Sequence, residues 1–578
     1  MAGHQRAGGR EAGPAWPDHR GSQSGRNTTL CRALAPGRPC VHGLSRPGRR
    51  CRDRGGAERR GRSGARPALG RAGGHRRAAL VVTGDRRPRS PISAQDRLWL
   101  KLDGPANPML ITAVLWTSTE VDPERLKRVV ADRLIGRYPV FTRRPVLDGG
   151  TWFWEDDLEF SLDRHLTVSE LPPPGTREVL QDLVAARRGR LLDPEHPLWT
   201  MELVRGYGAG SAVVLCSHHA MADGIRLVQV LFGLFDPVAG DAHPARIGGV
   251  GPRGVDFSRA PSRAAAKVVK ALNGFGERLE GPVARVTLGW PLLGLSTVAG
   301  FTGAVAEAVT SALPSRPATA VRWLMGQGFT ARNTVEGALG LLAPAASGAL
   351  WSGEPGPEKT AAWGNAVPLD LLAAVGHATG TSVNDVCVAL IMAAFERYAQ
   401  ETTSGSGEAE MNWLIPVSRS DFDDALPRDL GNDFALILAG FPLRKRNFRE
   451  RLDDVHRRVS SIRESLEPAL TFGVQWLAGR APEIVSEPLT RFFAAKAVGV
   501  LTNVPGPRRP GELAGALVEG IVGWAPCSGK QAVTVCVFSY AGFVRFGFGT
   551  DRSLVPDPGL LVTALDDAVT DAVALTNR

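Results

Sequence analysis

A short stretch between an apolar strand and an apolar helical pattern constrains the fold of this chain more than any other feature. The uncharged, partly β-branched run 212–216 predicts a buried strand, and a Leu/Val helical pattern spans residues 225–232. Between them, residues 218–224 read His-His-Ala-Met-Ala-Asp-Gly. The pattern therefore predicts a strand-to-helix junction at which two histidines are held rigidly and stay reachable.

The residue types at this junction favour proton-transfer chemistry. Histidine ionises closest to neutral pH, so His218 or His219 can take the proton of an alcohol while the other packs. Asp223 is better placed to brace the turn through an ion pair than to relay protons, and Gly224 would allow close backbone approach. These four identities at this spacing should arise by chance in about one chain per thousand of this length. A purely structural His-His pair is the alternative interpretation.

Other site chemistries fit the sequence less well. A metal site is not predicted, because Cys216 is the only further soft ligand near the histidines. Cys216 could share a strand face with His218 as a Cys-His nucleophile, but its apolar neighbours favour a buried packing cysteine. Residues 523–531 have five rather than four residues between their glycines and end in Gln, which excludes a phosphate-binding loop. The sequence has no Gly-x-Ser-x-Gly, which argues against an α/β-hydrolase.

Residues 218–224 resemble the HHxxxDG motif of the CoA-dependent acyltransferase superfamily. Three further stretches resemble bacterial wax ester synthase/diacylglycerol acyltransferases in type and order: Pro197-Leu198-Trp199, residues 384–389 starting at Asn384-Asp385, and Thr502-Asn503-Val504-Pro505-Gly506-Pro507. Residues 92–99 resemble the start of these proteins, and the whole resemblance extends to residue 572.

The resemblance implies an α/β fold of two chloramphenicol acetyltransferase-like domains, each with a mixed sheet, and a channel at their interface. It implies transfer of a fatty acyl group from acyl-CoA to diacylglycerol or a long-chain alcohol, giving triacylglycerol or wax ester. His219 would be the general base and His218 its structural companion, with acyl-CoA as co-substrate and no bound cofactor. Because both products are insoluble, we expect peripheral contact with membranes or lipid droplets.

The oxyanion of the tetrahedral intermediate needs hydrogen-bond donors, and the resemblance offers three candidates. Thr502, where the family usually has serine, and Asn503 come first. Asn384 is the second choice, because an Asn-Asp pair before an apolar helix is also an ordinary N-cap.

Four further residues have open roles at this stage. Arg419 and Asn432 resemble family positions without an assigned function. Trp199 could line the acyl channel, although a tryptophan ahead of a strand more often belongs to the core. A buried arginine could pair with Asp223, but Arg226 is too close along the chain to be assumed as that partner.

Composition divides the chain into four segments. Residues 1–90 hold 21 Arg, no Lys and five acidic residues, a net charge of +16, whereas the whole chain has +11. The remainder is therefore mildly acidic, at −5, which gives no argument for nucleic-acid binding. We expect this leader to be disordered. It could bind RNA or act as a mitochondrial transit peptide. It could also result from translation upstream of a native start near residues 81–90. Residues 91–235 form the motif-bearing domain, 236–358 a helical and apolar crossover, and 359–578 the second domain.

Local patterns add expectations about location and elements. The seven cysteines include no CxxC, which favours a reducing cytosol. Residues 286–306 carry no charge, but Pro291 and four glycines favour a segment that packs or touches a membrane over a spanning helix. Strands are predicted at 110–116, 152–154, 201–204, 412–417 and 433–441, a hairpin at 531–549, and helices after Asp122-Pro123, at 262–279 and at 382–398.

Two other functions stay open. One is a superfamily acyltransferase for an amine or a carrier-bound acceptor, against which the Pro-Leu-Trp and Asn-Val-Pro-Gly-Pro stretches argue. The other is a non-catalytic protein that binds lipid or RNA.

Overall fold

The structure of the protein, a computed structural model, describes residues 89–238, 351, 353–402, 409–418, 422, 424–444, 446–463 and 494–576. Four features considered above lie outside the described residues: the leader up to residue 88, the helix predicted at 262–279, the uncharged segment 286–306, and Arg419.

The described residues form two halves, called here the N-terminal half (89–238) and the C-terminal half (351–576). The strands of the N-terminal half are β1 Arg89–Pro91, β2 Leu110–Thr117, β3 Arg143–Asp148, β4 Thr151–Asp156, β5 Leu166–Glu170, β6 Trp199–Tyr207, β7 Gly210–His218 and β8 Phe235–Pro237. Its helices are α1 Ala94–Leu102, α2 Pro123–Val130, α3 Leu162–His165, α4 Arg177–Arg188 and α5 Gly224–Gly233.

The C-terminal half also contains both strands and helices. Its strands are β9 Ala362–Trp363, β10 Val367–Pro368, β11 Ala409–Ser418, β12 Phe434–Leu443, β13 Gly499–Val504, β14 Gly511–Leu513, β15 Ala516–Trp524, β16 Val533–Tyr540 and β17 Phe543–Thr550. Its helices are α6 Leu369–Thr379, α7 Val383–Thr402, α8 Phe448–Arg463 and α9 Pro558–Val573.

The strand that ends at His218 lies inside the first sheet, whose order is β5-β6-β7-β2-β15-β14-β8. β7 pairs antiparallel with β6 and β2, while β5 pairs in parallel with β6. Alternate residues of β7 enter two separate cores, Val213 on one face and Val214 with Cys216 on the other. Burial on both faces explains why this strand reads as an uncharged run.

The second sheet has the order β10-β17-β16-β13-β11-β12, with β9 paired to β17. β13 pairs in parallel with β11 and β16, whereas β12 and β17 pair antiparallel with their neighbours. α7 is buried along most of its length in the core on one face of this sheet. Both sheets are mixed, which confirms the predicted fold class.

The two halves interlock through a hairpin of the C-terminal half. β14 and β15 belong to the first sheet, where β15 pairs with β2 and β14 pairs with β8. Residues 511–524 therefore complete the sheet of the N-terminal half, although the sequence places them well inside the segment 359–578. The hairpin fixes the two halves in one arrangement around the strand that carries the histidines.

The described residues begin at Arg89 and so include the last two residues of the predicted leader. Arg89 and Ser90 form β1 with Pro91 and pair with β4. The Arg89 guanidinium contacts Glu155 at 2.5 Å and Asp148 at 2.7 Å. The last arginine of the predicted leader thus has carboxylate partners in the sheet, which its arginine-rich composition does not reveal.

Apart from the helix predicted at 262–279, which lies outside the described residues, the elements predicted from local patterns are confirmed within a few residues of their ends. Asp122 caps α2 by accepting the Arg125 amide, and the predicted apolar face of that helix is buried. The hairpin at 531–549 is β16 and β17. Among the described residues, no single helix is both long and apolar enough to cross a membrane; the pair α6 and α7, bent by 98°, meets that test only when joined.

Candidate active site

The turn between β7 and α5 places the two histidines where the halves meet. Asp223 is the N-cap of α5, and its Oδ1 accepts the Arg226 amide at 2.9 Å. The residues between His219 and Asp223 are fully buried, and Ala222 forms a bridge with Gly431 of the C-terminal half. The strand end and the helix start thus fix the backbone on both sides of His219.

His218 makes its side-chain contacts with the protein. It is 1% exposed, and its Nδ1 accepts the Ala220 amide at 3.0 Å. Its Nε2 lies 3.7 Å from Oδ1 of Asp103, which in turn accepts the Met109 amide at 2.7 Å. The ring therefore braces the turn and the start of β2.

His219 has a different environment. Its ring stacks on Trp99 at 4.1 Å between centroids with a 13° interplanar angle, and lies 5.4 Å from the ring of Phe434. Burial lowers the pKa of His219 to about 4, so the imidazole is neutral at pH 7. Its Nδ1 is enclosed, which leaves Nε2 as the nitrogen that can meet a substrate.

The Asp223 carboxylate contacts the C-terminal half through a backbone amide rather than through a charged side chain. Its Oδ2 accepts the Asp433 amide at 2.9 Å, and Nε of Arg226 lies 3.8 Å away. The Arg226 guanidinium instead donates to the carbonyl oxygens of Leu430, at 2.6 Å, and Gly431, at 2.9 Å. Asp223 thus ties the motif to the opposite half, and Arg226 is a local neighbour that strengthens the same junction.

Asn432 joins the halves at His219 itself. Its Nδ2 donates to the His219 carbonyl oxygen at 2.7 Å and to Oδ1 of Asp96 at 2.7 Å. Asp96 is buried at the start of α1, and burial raises its pKa while these hydrogen bonds work in the opposite direction. The structure thus brings Asn432 to the histidine.

The two faces of β13 separate the first two oxyanion candidates. Val504, two residues after Thr502, and Cys536, which pairs with Thr502, lie in the same core as the motif residues Ala220–Ala222. Thr502 therefore projects from the face of β13 that turns toward the motif. Its hydroxyl makes a long contact of 3.5 Å with the Val535 carbonyl oxygen and also lies beside the Cys536 thiol.

Asn503 lies on the opposite face of β13. Its Nδ2 donates to Oδ1 of Asn384 at 2.8 Å, on the first turn of α7. Asn384 is not the N-cap of that helix, because Ser382 and Asp385 form a reciprocal pair of hydrogen bonds there. The bond thus joins an exposed asparagine of β13 to a buried asparagine of α7.

The Pro-Leu-Trp stretch supports the motif from the neighbouring strand. The Leu198 carbonyl oxygen accepts the His218 amide at 2.9 Å, and the Trp199 amide donates to the Pro197 carbonyl oxygen. The Trp199 indole donates to the Phe141 carbonyl oxygen at 2.8 Å and stacks on His165. Trp199 is therefore a core residue, the alternative considered from the sequence.

Two sequence interpretations at the motif have different outcomes. Burial raises the pKa of Cys216 to about 11, so the thiol stays protonated and packs, as its apolar neighbours predicted. The close approach expected at Gly224 is wrong for the described residues, because a Cβ built there meets nothing within 4 Å. Gly224 also has no positive φ, so backbone strain does not require glycine at this position.

Sequence reasoning missed the residues that surround the imidazole. Trp99, Phe434 and Asp96 contact His219 or its partner Asn432, and Asp103 lies beside His218. Asp96 and Trp99 lie in the stretch 92–99, whose resemblance to the start of family members gives neither residue a role. The sequence signal that could have identified them is an acidic residue and a tryptophan three positions apart, on one face of a short predicted helix.

Comparisons with known proteins agree on one family. The profile of the wax ester synthase/diacylglycerol acyltransferase catalytic domain matches residues 92–387, and that of the WS/DGAT C-terminal domain matches residues 430–571. A probable diacylglycerol O-acyltransferase of Mycobacterium tuberculosis is 28% identical over 464 residues, covering 79% of this chain and 89% of that protein. A second mycobacterial protein with the same description is 24% identical over 503 residues, covering 82% and 97%.

A solved structure has the same fold. The wax ester synthase/diacylglycerol acyltransferase from Marinobacter aquaeolei superposes with a TM-score of 0.55 at 19% identity, over 85% of this chain and 100% of that chain. With two adjoining profiles matched across both halves, the chain belongs to the wax ester synthase/diacylglycerol acyltransferase family.

Proposed function

We propose that the protein transfers a fatty acyl group from acyl-CoA to the hydroxyl of diacylglycerol or a long-chain alcohol, giving triacylglycerol or wax ester. The observation that carries this proposal is a neutral, aromatic-stacked His219 at the junction of the halves, in a chain of this family. A neutral imidazole can accept a proton, and its rigid position favours attack in a defined direction.

In the proposed reaction, Nε2 of His219 takes the hydroxyl proton as the alcohol oxygen bonds to the thioester carbonyl carbon. The tetrahedral intermediate then collapses, the carbon-sulfur bond breaks, and the imidazolium returns the proton to the CoA thiolate. Such a base contributes about 10²–10⁴-fold to the rate. No acyl-enzyme is needed, so Cys216 has no role in the chemistry.

Thr502 is the proposed oxyanion donor. It lies on the motif side of β13, and its hydroxyl can rotate from the Val535 carbonyl oxygen and the Cys536 thiol toward a developing negative charge. Asn503 and Asn384 are not proposed, because they bind each other on the opposite face.

We further propose that both substrates reach His219 through a channel between the halves. A cytoplasmic enzyme acting at the surface of a membrane or lipid droplet fits the insolubility of both products. Co-sedimentation of the protein with vesicles and with lipid droplets tests the proposed surface binding without an assay of acyl transfer.

The test of the function is incubation with labelled palmitoyl-CoA and, separately, hexadecanol, dipalmitoylglycerol, or a long-chain amine. We expect labelled wax ester or triacylglycerol from the wild type and neither from His219→Ala. An amide product alone would move the assignment to another acceptor class. Ester formation by His219→Ala at the wild-type rate would exclude the proposed mechanism.

A further inference from the structure

The turn that precedes β2 carries the backbone group that holds the His219 amide. The Met109 carbonyl oxygen accepts that amide at 2.8 Å, and the Met109 amide donates to Oδ1 of Asp103 at 2.7 Å. The same Oδ1 lies beside the ring of His218. Residues 103–109, called here the support turn, therefore contact both histidines of the motif.

The C-terminal half holds the support turn at its tip. Nζ of Lys359 donates to the Ala106 carbonyl oxygen at 2.6 Å. Nδ2 of the next residue, Asn107, donates to the Gly529 carbonyl oxygen at 2.8 Å. The Asn107 amide also donates to the Gly104 carbonyl oxygen at 2.9 Å, which closes the turn on itself. A pull on the tip is thus transmitted to the rest of the turn.

The Lys359 ammonium is sheltered from water and uses all its donors. Besides the Ala106 carbonyl oxygen, it donates to Oδ2 of Asp551 at 2.6 Å and to the Gly356 carbonyl oxygen at 2.9 Å. An ammonium has three N–H groups, so these contacts saturate it. The Lys359 side chain is 9% exposed and that of Asp551 is 2% exposed. The bond to Ala106 is therefore a buried hydrogen bond from a charged donor, which is stronger than one between neutral groups.

Asp551 compensates the charge of Lys359 and is anchored independently of it. Its Oδ1 accepts the Ser553 amide at 3.0 Å and the Ser553 hydroxyl, and its own amide donates to the Ala532 carbonyl oxygen at 2.9 Å. Asparagine at 551 can keep the contacts with Ser553. That substitution removes the negative charge without removing the bond from Lys359 to Ala106.

We propose that Lys359 is a positioning residue for His219 and acts through the support turn. Its ammonium holds the carbonyl group of Ala106, the turn holds Met109, and the Met109 carbonyl oxygen holds the His219 amide. The effect on catalysis rests on the proposed function, whereas the hold on the backbone is a property of the protein alone.

His219 then lies between two attachments to the C-terminal half. Asn432 binds its carbonyl oxygen directly, and the support turn binds its amide. Loosening the second attachment leaves the first in place. Substitution of Lys359 should therefore displace the histidine without unfolding the motif.

The first test uses variants whose stability and activity should change in different directions. Asp551→Asn leaves a buried cation without its carboxylate but keeps the bond to Ala106, so it should lower the urea midpoint and hold kcat within about twofold of the wild type. Lys359→Met/Asp551→Asn removes both charges and the bond to Ala106. It should be more stable than Asp551→Asn and yet lose about 10–10²-fold in kcat with little change in KM.

Two further variants complete this test. Lys359→Met should lose kcat to the same extent as the double variant and should be less stable than it, because the Asp551 carboxylate is left unpaired. Lys530→Met is the matched control, since Lys530 pairs with Glu354 on the surface with both side chains mostly exposed. It should keep the wild-type kcat and urea midpoint.

A purely structural role for Lys359 gives a different pattern. The kcat per folded molecule would then follow stability, so the double variant would be more active than Asp551→Asn. That result, with all variants folded by circular dichroism, overturns the proposal.

The second test needs no ester formation and uses hydrogen exchange followed by mass spectrometry. In the double variant, peptides covering residues 104–110 and 217–222 should exchange about tenfold faster or more, while peptides covering 430–434 keep the wild-type rate. Faster exchange confined to 104–108, or no change at all, overturns the proposal. If exchange changes as expected but the wild type forms no ester, the hold on His219 stands and the proposed function fails.

Discussion

The neighbouring residues His218 and His219 have the same side chain and opposite surroundings. His218 has its Nδ1 occupied by the Ala220 amide and its Nε2 turned toward Asp103, so both ring nitrogens face the protein. His219 presents its ring faces to Trp99 and Phe434 and keeps one nitrogen free. Strand geometry causes the difference, because His218 ends β7 and His219 begins the turn.

A second adjacent pair repeats this division. Thr502 lies on the motif face of β13, and Asn503 lies on the face that packs against α7. In both pairs, one residue supports the fold and its neighbour is available for chemistry. The comparison predicts that substitutions within each pair separate loss of activity from loss of stability.

The largest expected effect is that of His219→Gln. We expect kcat to fall by about 10²–10⁴-fold because the base is lost, with little change in the melting temperature. The measurement is release of CoA thiol with palmitoyl-CoA and hexadecanol. His377→Gln, an exposed change at the end of α6, is the matched control and should keep full activity. If His219→Gln lowers the stability as much as His218→Phe does, the contrast between the two histidines is wrong.

Thr502→Val tests the second pair. Removing the hydroxyl while keeping the shape should lower kcat by about 10²–10³-fold, the usual cost of one oxyanion donor. Asn503→Ala should instead cost about 0.5–1.5 kcal/mol of stability through the lost bond to Asn384. Stopped-flow kinetics and urea unfolding of both variants separate the two effects, and a reversed pattern would assign the oxyanion to Asn503.

The pH dependence sharpens the assignment of the base. The pKa of His219 is lowered to about 4, and only the neutral ring accepts a proton. We therefore expect kcat/KM to stay level from about pH 8 to about pH 5 and to fall tenfold per unit below about pH 4. If rapid-mixing assays give an acid limb of kcat/KM with its midpoint near the ordinary histidine pKa, burial does not set the pKa of His219.

His218→Phe should act on stability. The ring volume is kept, but the buried Ala220 amide loses its acceptor, which costs about 1–3 kcal/mol. Urea unfolding followed by tryptophan fluorescence gives the change in stability. Unchanged stability combined with a loss of kcat as large as that of His219→Gln would make His218 a catalytic partner.

The smallest expected effect on folding is that of Gly224→Ala. The position has an ordinary φ and open space around it, and alanine favours a helix start more than glycine does. We expect an unchanged melting temperature by differential scanning calorimetry. A fall in activity without a fall in melting temperature would mean that a substrate uses this space.

Local patterns were sufficient for the elements of the site. The uncharged run before His218 predicted β7, and the apolar helical pattern after Gly224 predicted α5, because burial on defined faces leaves a periodic record. The partner of Asp223 could not be predicted in this way, since it is the backbone amide of Asp433, 210 residues away. Side-chain identity carries no signal for a contact made by a main-chain group.

Gly224 and Asn432 show two other limits. Glycine can serve a turn, a close approach or an open space, and the sequence alone does not separate these uses. The amide of Asn432 can donate or accept, and only the carbonyl of His219 beside it decides between the two. In both cases the missing information is the position of neighbouring backbone.

The hairpin β14–β15 has a consequence for biosynthesis. β2 and β15 are paired side by side, although Thr117 and Val518 are about 400 residues apart along the chain. While the ribosome makes the intervening residues, β2 has an open edge, and unpaired edges invite association between nascent chains. The N-terminal half produced alone would keep that edge, so truncation before residue 511 should yield aggregates, and supplying the remaining segment in trans should rescue solubility.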